Sequence, residues 1–404
     1  MRRVAALRKY WLPGRRRAVP GGRMDLAQLL RFCEAERDWL VETTSALARL
    51  ESPTSDKERV DQCGAELARR LVELGASVDI ITQDAAGDHI RASIGSGSEQ
   101  LLLLGHFDTV WPVGQTERMP VIEDGAGRLS GPGVYDMKAG IAIGMLAVRA
   151  LVALDALPRR RLVLLLTSDE ERGSVSSRLL VENEARNSDA VCVLEPSLPG
   201  GALKTARKGS GEYLLCVDGV PAHAGIEPEN GASAIHELAR QIVALEELRD
   251  HQRGILVNVG QVEGGSRPNV VAEEARCVID VRVGTAADRE HVEATFGALK
   301  PVLPGTSLRV SGGFSRPPLE RTDAVVRLFR IAREVASKLG HELQEGSTGG
   351  GSDGNFTAAL GVPTLDGLGA VGGGAHALHE HVDVAQLPWR AALLAGLIDR
   401  LAAE

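Results

Sequence analysis

Polar side chains that could bind a metal ion or transfer a proton directly follow three short apolar runs of this chain. Such runs are typical of buried β-strands, and folded interiors rarely leave a histidine or a carboxylate without a partner. A fourth polar group opens a helical segment. The residues concerned are His106 and Asp108 after "LLLLG", Asp136 in "GPGVYDMKAG", Glu170 and Glu171 in "SDEERGS" after "RLVLLLT", and Glu195 after "AVCVL".

These side chains converge if the strands are parallel, because parallel strands present their carboxyl ends at one edge of a sheet. Several carboxylates and an imidazole in a small space repel one another unless a cation neutralises them. We therefore predict a metal site, and the number of carboxylates favours two metal ions. Ligands of this kind without cysteine favour zinc, with cobalt or manganese as alternatives. Taken singly, each cluster would more often be a helix cap or a hydrogen-bonded polar residue.

The elements that must position these residues alternate along the chain. A helix is predicted from Met24 to about residue 50, and a second helix has Asp56 as its cap and Gly75 as its stop. Apolar strands at 101, 161 and 190 are separated by helices near 137–155 and 173–185. Strands without polar alternation, separated by helices, indicate a mostly parallel α/β sheet that helices cover on both faces.

The pattern changes between about residues 207 and 316. Runs such as "EYLLCVDGV" and "ARCVIDVRV" alternate in part between apolar and polar residues, which is typical of strands with one open face. We predict that 207–316 is a smaller α+β domain inserted into a catalytic domain made of 24–206 and 317–404. Residues 1–23 form a basic arm, for which a disordered segment and a wrongly assigned start are alternatives.

Composition excludes several classes of protein. The 404 residues are 44% hydrophobic and 25% charged, as in ordinary globular proteins. A net charge of -8 and the lack of a recurring basic stripe argue against a nucleic-acid partner. No run reaches the length of a membrane span, and the five scattered cysteines suggest neither disulfides nor a zinc ribbon. We expect a cytoplasmic protein without a membrane partner.

Four motifs together resemble a known family. "GHFDTV", "GPGVYDMKAG", "TSDEERGS" and "LEP", in this order, are similar to those of the M20 family of di-metal peptidases and amidohydrolases, and most similar to its glutamate carboxypeptidase branch. The resemblance implies a di-zinc catalytic domain split by an inserted lid that also forms a homodimer. One departure weakens the branch assignment, because that branch has aspartate where this chain has Glu195.

The resemblance also implies roles for the clustered residues. His106, Asp136 and Glu195 would hold one metal ion, while Asp136, Glu171 and a C-terminal histidine would hold the other. The peptide bond after the bridging aspartate is commonly cis in the family. Asp108 would orient the His106 ring, and Glu170 would act as general base.

The C-terminal histidine is open among three candidates in "GGGAHALHEHVD": His376, His379 and His381. The family pattern of a histidine followed four residues later by glutamate favours His376 with Glu380. His379 is the next candidate.

The resemblance further implies substrate-binding residues. A lid histidine, His223 in "GVPAHAGIEPENG", would reach the partner subunit's active site and stabilise the oxyanion, although a surface histidine in a turn is the simpler interpretation. Arg282 could otherwise be an edge-strand solubilising residue. The expected set is Asn269 and Arg282 for the substrate carboxylate, Arg316 and Lys208 as further candidates toward a glutamate side chain, and Gly350 in the pocket loop "TGGGSDGN".

These features predict a metal-dependent hydrolase that releases a C-terminal amino acid, with glutamate favoured, from a small peptide or an N-acyl amino acid. The alternatives are an N-acyl amino acid deacylase or a dipeptidase of the same family. A non-catalytic metal-binding scaffold is a third alternative, against which the intact Glu170 and ligand set count.

Overall fold

The computed structural model describes residues 24–403, so the predicted arm 1–23 lies outside the described residues. The helices are α1 Leu26–Ala35, α2 Arg37–Arg49, α3 Lys57–Glu73, α4 Gln115–Arg118, α5 Ala139–Ala153, α6 Arg178–Arg186, α7 Ala234–Glu246, α8 Ala286–Gly297, α9 Asp323–Lys338, α10 Gly354–Ala359 and α11 Leu387–Ala402. The strands are β1 Ser77–Ile81, β2 His89–Ile94, β3 Gln100–His106, β4 Ile122–Glu123, β5 Arg128–Ser130, β6 Arg161–Thr167, β7 Ala190–Val193, β8 Leu203–Arg207, β9 Gly209–Asp218, β10 Leu256–Gly264, β11 Glu274–Val283, β12 Ser307–Arg316, β13 Glu345–Thr348, β14 Thr364–Leu365, β15 Gly372–Gly373 and β16 His381–Asp383.

The first predicted helix is in fact two helices. The chain leaves helical geometry at Glu36, with φ -96° and ψ 13°, and α2 follows at once. The Glu36 carboxylate forms an ion pair with Arg149 of α5 at 3.0 Å, a tertiary contact that local periodicity does not reveal. The second prediction is confirmed: the Asp56 side chain caps α3, and Gly75 follows the helix with φ +87°.

The main sheet has six strands in the order β1-β2-β6-β3-β7-β14. Strands β6, β3, β7 and β14 run parallel, whereas β1 and β2 are antiparallel to their neighbours. Every residue of β3 is buried, as expected for a strand covered on both faces. Leu103 pairs with Leu164 and Cys192, so β3, β6 and β7 end together at one edge of the sheet.

A second sheet lies in the part of the chain predicted as an insertion. It is antiparallel, with the order β10-β11-β9-β12, and it runs from Gly209 to Arg316. Buried and half-exposed residues alternate along β9 and β11. The buried face packs with α7 and α8 into a hydrophobic cluster of its own, separate from the clusters of the main sheet. The fold is thus a two-domain α/β architecture, while the residue bounds of the domains stay a prediction.

A small sheet, β15-β16-β5-β4, brings the C-terminal histidine segment to the main sheet's edge. His381 pairs with Ser130, and the backbone N–H of Gly131 donates to Glu380 at 3.4 Å. The loop before β16 therefore lies against the turn that carries Asp136. Among the helices described in 24–403, none combines the length and apolar character needed to cross a bilayer.

Candidate metal centre

Two sets of three candidate ligands meet at the edge where β3, β6 and β7 end, and they share one carboxylate. In the first set, His106 Nε2 lies 3.3 Å from Asp136 Oδ1 and 3.5 Å from Glu195 Oε1. In the second, His376 Nε2 lies 3.5 Å from Asp136 Oδ2 and 3.3 Å from Glu171 Oε1. Each imidazole nitrogen thus faces two carboxylate oxygens, and each Asp136 oxygen faces one imidazole.

Asp136 is held where it can bridge two cations. It lies in a π-helical turn, Val134–Lys138, with the non-helical angles φ -115° and ψ 93°, and its peptide bond to Met137 is cis. Its Oδ1 atom is fully enclosed, and no donor among the described residues forms a hydrogen bond of suitable geometry with it. A buried carboxylate oxygen without a hydrogen bond requires another partner, and a cation supplies one. The donor set, imidazole and carboxylate, fits zinc, cobalt or manganese.

The titration of these groups reflects their crowding. Burial opposes ionisation of Asp136, but the adjacent His106 and His376 rings hold its pKa well below the usual range. Burial raises the pKa of Glu171. Hydrogen bonds to Asp136 and Glu171 raise the pKa of His376 to about 10. Protons on the imidazoles therefore neutralise the carboxylates in the metal-free chain, and divalent cations would replace them.

Asp108 connects the imidazole to the turn after β6. Its carboxylate lies 3.3 Å from His106 Nδ1 and accepts hydrogen bonds from the backbone N–H groups of Glu170 and Glu171. Thr54 donates to it at 2.7 Å. Because Nδ1 faces Asp108, Nε2 of the ring points to the metal centre.

Glu170 is largely buried beside the candidate ligands and is paired with Arg316. Arg316 Nη2 donates to Glu170 Oε1 at 2.8 Å and to the backbone carbonyl of the same residue at 3.0 Å. Its Nη1 donates to Asp353 at 3.1 Å. Burial raises the pKa of Glu170, and the Arg316 charge opposes that shift. The structure thus surrounds Arg316 with protein carboxylates, whereas the sequence suggested a substrate-binding role for it.

Glu380 gathers four N–H donors around the bridging turn. Its Oε1 accepts from the backbone N–H groups of Tyr135 at 2.9 Å and Asp136 at 3.1 Å. Its Oε2 accepts from the backbone of Gly133 at 3.0 Å and from Trp111 Nε1 at 2.9 Å. The carboxylate four residues after His376 therefore positions the segment that bears Asp136.

Arg207 supports the other end of the centre. Its Nη2 donates to Glu195 Oε2 at 3.1 Å and to Asp366 at 2.9 Å. Its Nη1 donates to the carbonyl groups of Gly350 and Gly351 in the glycine-rich loop. The arginine thereby joins a predicted metal ligand to the predicted pocket loop.

Four of the predicted substrate residues make no hydrogen bond or ion pair with the side chains of the centre in the described part of the chain. His223 is exposed, and its ring accepts from its own turn at Gly225 N. Arg282 pairs bidentately with Asp280, and Lys208 donates to Gly254 O at 2.8 Å. Asn269 is exposed in the same inserted region. Their roles stay predictions.

Of the three C-terminal histidines, only the ring of His376 lies within ion-pair distance of the carboxylates in the described chain. His376 has a positive φ of 59°, which is uncommon for a residue other than glycine. His381 Nδ1 instead lies 2.9 Å from the carbonyl of His379. Sequence analysis missed the supporting roles of Arg207, Asp353 and Asp366. The only local signal for them was a charged residue inside an apolar or glycine-rich segment.

Comparison with known proteins agrees with this geometry. The model of "Peptidase family M20/M25/M40" matches residues 102–400, more than half of the chain. The chain belongs to peptidase family M20. It is therefore an enzyme of the metallopeptidase class, as the motifs predicted.

The M20 chain is similar along most of its length to a carboxypeptidase and to a desuccinylase. It is 29% identical to carboxypeptidase G2 of Pseudomonas sp. (strain RS-16) over 386 residues, which cover 93% of this chain and 92% of that protein. It is 32% identical to succinyl-diaminopimelate desuccinylase of Xanthomonas oryzae pv. oryzae (strain MAFF 311018) over 363 residues, which cover 85% and 94%.

Solved structures share the M20 fold. Aminopeptidase PepT from Bacillus cereus superposes with a TM-score of 0.77 at 23% identity, covering 91% of this chain and 99% of that one. A Bacillus subtilis protein described as a dinuclear metal binding peptidase of the M20 family superposes with a TM-score of 0.67 at 14% identity, covering 92% and 99%. The α/β fold class predicted from the sequence is confirmed.

Proposed function

We propose that this enzyme is a di-metal hydrolase that cleaves an amide bond and releases a C-terminal amino acid, with glutamate favoured, from a small peptide or an N-acyl amino acid. The observation that carries the proposal is the pair of three-ligand sets that share Asp136. His106 and Glu195 would complete one metal site, and His376 and Glu171 the other. Zinc is the favoured ion.

Two bound cations supply Lewis-acid chemistry, which polarises a carbonyl and makes water more acidic. The chain supplies the proton transfer. Glu170 is the largely buried carboxylate next to the candidate ligand Glu171, and it would accept a proton from the attacking water and return it to the leaving amine. Arg316 and the backbone of the turn hold that carboxylate in place. Asp108 keeps the His106 ring oriented throughout.

The substrate carboxylate is assigned to Arg282 of strand β11 and Asn269 of the loop before it, with Gly350 in the pocket loop. Support comes from the planar guanidinium, which recognises carboxylates bidentately. The ion pair with Asp280 is half exposed, so a substrate carboxylate could compete for Arg282.

A hydrolysis panel tests the proposal. Purified protein is assayed with N-acyl-glutamate, other N-acyl amino acids and dipeptides, with and without chelator. We expect metal-dependent release of an amino acid, and Glu170→Gln should lose turnover while its zinc content is retained. No metal-dependent turnover on any member of the panel would refute the hydrolase assignment.

A second candidate keeps the chemistry and changes the substrate. The identity to a desuccinylase, 32%, exceeds that to a carboxypeptidase, 29%, although over a shorter length. N-acyl amino acid deacylation is therefore tested on the same panel. This function would be favoured if turnover depended more on the identity of the acyl group than on the identity of the released amino acid.

We also propose a homodimer through the inserted domain. Strand β10 is an edge strand with exposed residues, and α7 presents exposed Ile235 and Val243 beside it. An open edge and an apolar helix face favour pairing with a second copy. His223 would then serve the partner's site.

Mixing two inactive variants tests this arrangement. His223→Ala and Glu170→Ala dimers are mixed and allowed to exchange subunits. Each mixed dimer has one site with both groups intact, so about a quarter of wild-type activity should return after random exchange. Recovery should fail if His223 serves its own subunit, and a monomeric mass in solution would contradict the dimer.

A cytoplasmic location is proposed as well. All five cysteines are free, which is usual in a reducing compartment. Fractionation of the native host, followed by detection of the protein, would test this.

A further inference from the structure

His89 is a buried histidine that the proposed reaction does not use. All ten histidines lie in the described part of the chain, and only His89 and His106 are buried. His89 opens strand β2, which runs antiparallel to β6. The start of β2 therefore lies beside the end of β6, where the turn that carries Glu170 and Glu171 begins.

Both ring nitrogens of His89 contact that turn, one at each end. Nδ1 accepts a hydrogen bond from the backbone N–H of Ser168 at 3.3 Å, and it lies 2.9 Å from the Oγ atom of the same serine. Nε2 lies 3.2 Å from Ser176 Oγ. Ser168 precedes the two glutamates and Ser176 follows them. The imidazole therefore bridges the start and the end of the turn 168–176.

The hydrogen bonds around the ring fit its neutral form. The Ser176 hydroxyl donates to Asp169 Oδ2 at 2.7 Å, so its oxygen is free to accept from an Nε2–H group. The Ser168 hydroxyl donates to the carbonyl of Gly87, which leaves Nδ1 to the backbone N–H. Burial lowers the pKa of His89, against the charges of Asp169 and other carboxylates. A neutral ring thus satisfies both nitrogens, as a buried imidazole requires.

Hydrogen bonds rather than apolar packing hold the turn 168–176 in place. Its short helix, Glu170–Arg172, contains no buried residue, and Val175 is 87% exposed. Asp108 binds the backbone N–H groups of both glutamates, and Arg316 binds the carboxylate of the first. His89 adds a connection to strand β2. Because so little packing supports the turn, the loss of one of these connections should let it move.

We propose that His89 is a positioning residue that fixes the turn carrying the general base Glu170 and the candidate ligand Glu171. This inference rests on the proposed function, from which the two glutamates take their roles. A displaced base transfers a proton more slowly, because proton transfer depends on the distance and alignment of the groups. The residues assigned to the substrate carboxylate lie elsewhere in the chain. The rate of the chemical step should therefore depend on His89 more than substrate binding does.

Turnover of the zinc-loaded, full-length enzyme on the best substrate of the hydrolysis panel tests the inference. His89→Leu fills a similar volume but removes both hydrogen bonds, so kcat should fall about tenfold to a hundredfold with little change in KM. His89→Gln keeps one hydrogen-bonding group and should recover part of kcat. Ile90→Ala is the matched control, because it truncates a buried side chain of the same strand. It should lower the melting temperature and leave kcat unchanged.

Hydrogen exchange separates this inference from the proposed function. In the metal-free protein, the amide hydrogens of 168–176 should exchange faster in His89→Leu than in wild type or Ile90→Ala. If wild type hydrolyses nothing on the panel, the proposed function fails, but the exchange rates still decide whether His89 holds the turn. The inference is overturned if His89→Leu exchanges like wild type, or if Ile90→Ala loses as much kcat as His89→Leu. Ser176→Ala, which removes the acceptor of Nε2–H, replaces His89→Leu if the latter does not fold.

Discussion

At the scale of single residues, the candidate centre is held in place by side chains outside its two ligand sets. Glu380 is the clearest case, because one buried carboxylate accepts hydrogen bonds from the backbone N–H groups of Gly133, Tyr135 and Asp136. These donors would otherwise remain unpaired in the interior. The family motif contains this glutamate, but only the hydrogen bonds explain why a carboxylate is used.

We predict that Glu380→Gln weakens both folding and metal binding. The amide presents an NH₂ group to two donors, and each buried N–H left unsatisfied costs about 1–3 kcal/mol. The free energy of unfolding of the metal-free protein should fall by about that amount, and zinc affinity should fall because Asp136 is less well held. Denaturant titration and zinc competition measure the two effects. The exposed Glu290→Gln on α8 is the control, and an unaltered zinc affinity in Glu380→Gln would contradict the positioning role.

His376 makes the metal-free protein sensitive to pH. Its folded pKa of about 10 lies above the reference value of 6.5. The protonated ring therefore stabilises the folded state fully below pH 6.5, and this contribution is lost as pH rises toward 10. A metal ion must displace the same proton, so zinc affinity should increase over this range.

Thermal melts of the metal-free protein between those pH values test the prediction. Wild type should be more stable than His376→Ala at the acidic end, and the difference should shrink as pH rises. A difference that does not vary with pH would show that the ring contributes by packing alone.

At the scale of elements, close contacts between α5 and the strand ends set the spacing of the ligands. Helix α5 begins three residues after Asp136, and a Cβ atom on Gly140 would lie 1.9 Å from the carbonyl oxygen of Leu194. Leu194 immediately precedes Glu195. The glycine therefore lets the helix approach the end of β7 closely enough for Asp136 and Glu195 to share a cation.

We predict that Gly140→Ala separates the two ligands. The added methyl group meets backbone rather than a flexible side chain, and overpacking of this kind costs about 1–3 kcal/mol. Stability should fall, and zinc bound per chain should fall with it. Gly297→Ala is the matched control, because nothing lies within 4 Å of a Cβ atom at that end of α8. The melting temperature and the zinc content of both variants test this prediction. Full zinc content in Gly140→Ala would contradict the proposed effect of Gly140 on the distance between Asp136 and Glu195.

At the scale of the whole molecule, the metal centre joins distant parts of the chain. Its predicted ligands extend from His106 to His376 and come from the ends of β3, β6 and β7, the turn before α5 and the loop before β16. Cations bound there would tie the C-terminal segment to the main sheet. Bound metal should therefore contribute to global stability and not only to catalysis.

We predict that chelation lowers the melting temperature. A site occupied at a hundredfold excess over Kd stabilises the folded state by about 2.7 kcal/mol. Glu195→Gln should impair one of the two predicted sites, whereas Asp136→Asn should impair both, since each of its oxygens faces a different histidine. Calorimetry with and without zinc measures the melting temperature and the metal stoichiometry of both variants. Equal metal stoichiometry in the two variants would contradict a shared Asp136.

Much of this architecture follows from the sequence alone. Apolar strands separated by helices predict a parallel sheet, and parallel strands must end at one edge. The types and order of the residues at 106, 136, 170, 171 and 195 therefore indicated a metal centre before any coordinates were considered. The change to alternating strands after 207 likewise indicated the second sheet. These patterns involve residues that are close together in the chain, so they can be recognised in the sequence itself.

Only the tertiary structure decided which distant side chains meet. It brought His376 rather than His379 or His381 to the carboxylates and paired Arg316 with Glu170. Such contacts depend on strand register and on the paths of loops between residues more than a hundred positions apart. No periodicity in the chain encodes them, because each arises from the packing of whole elements against one another.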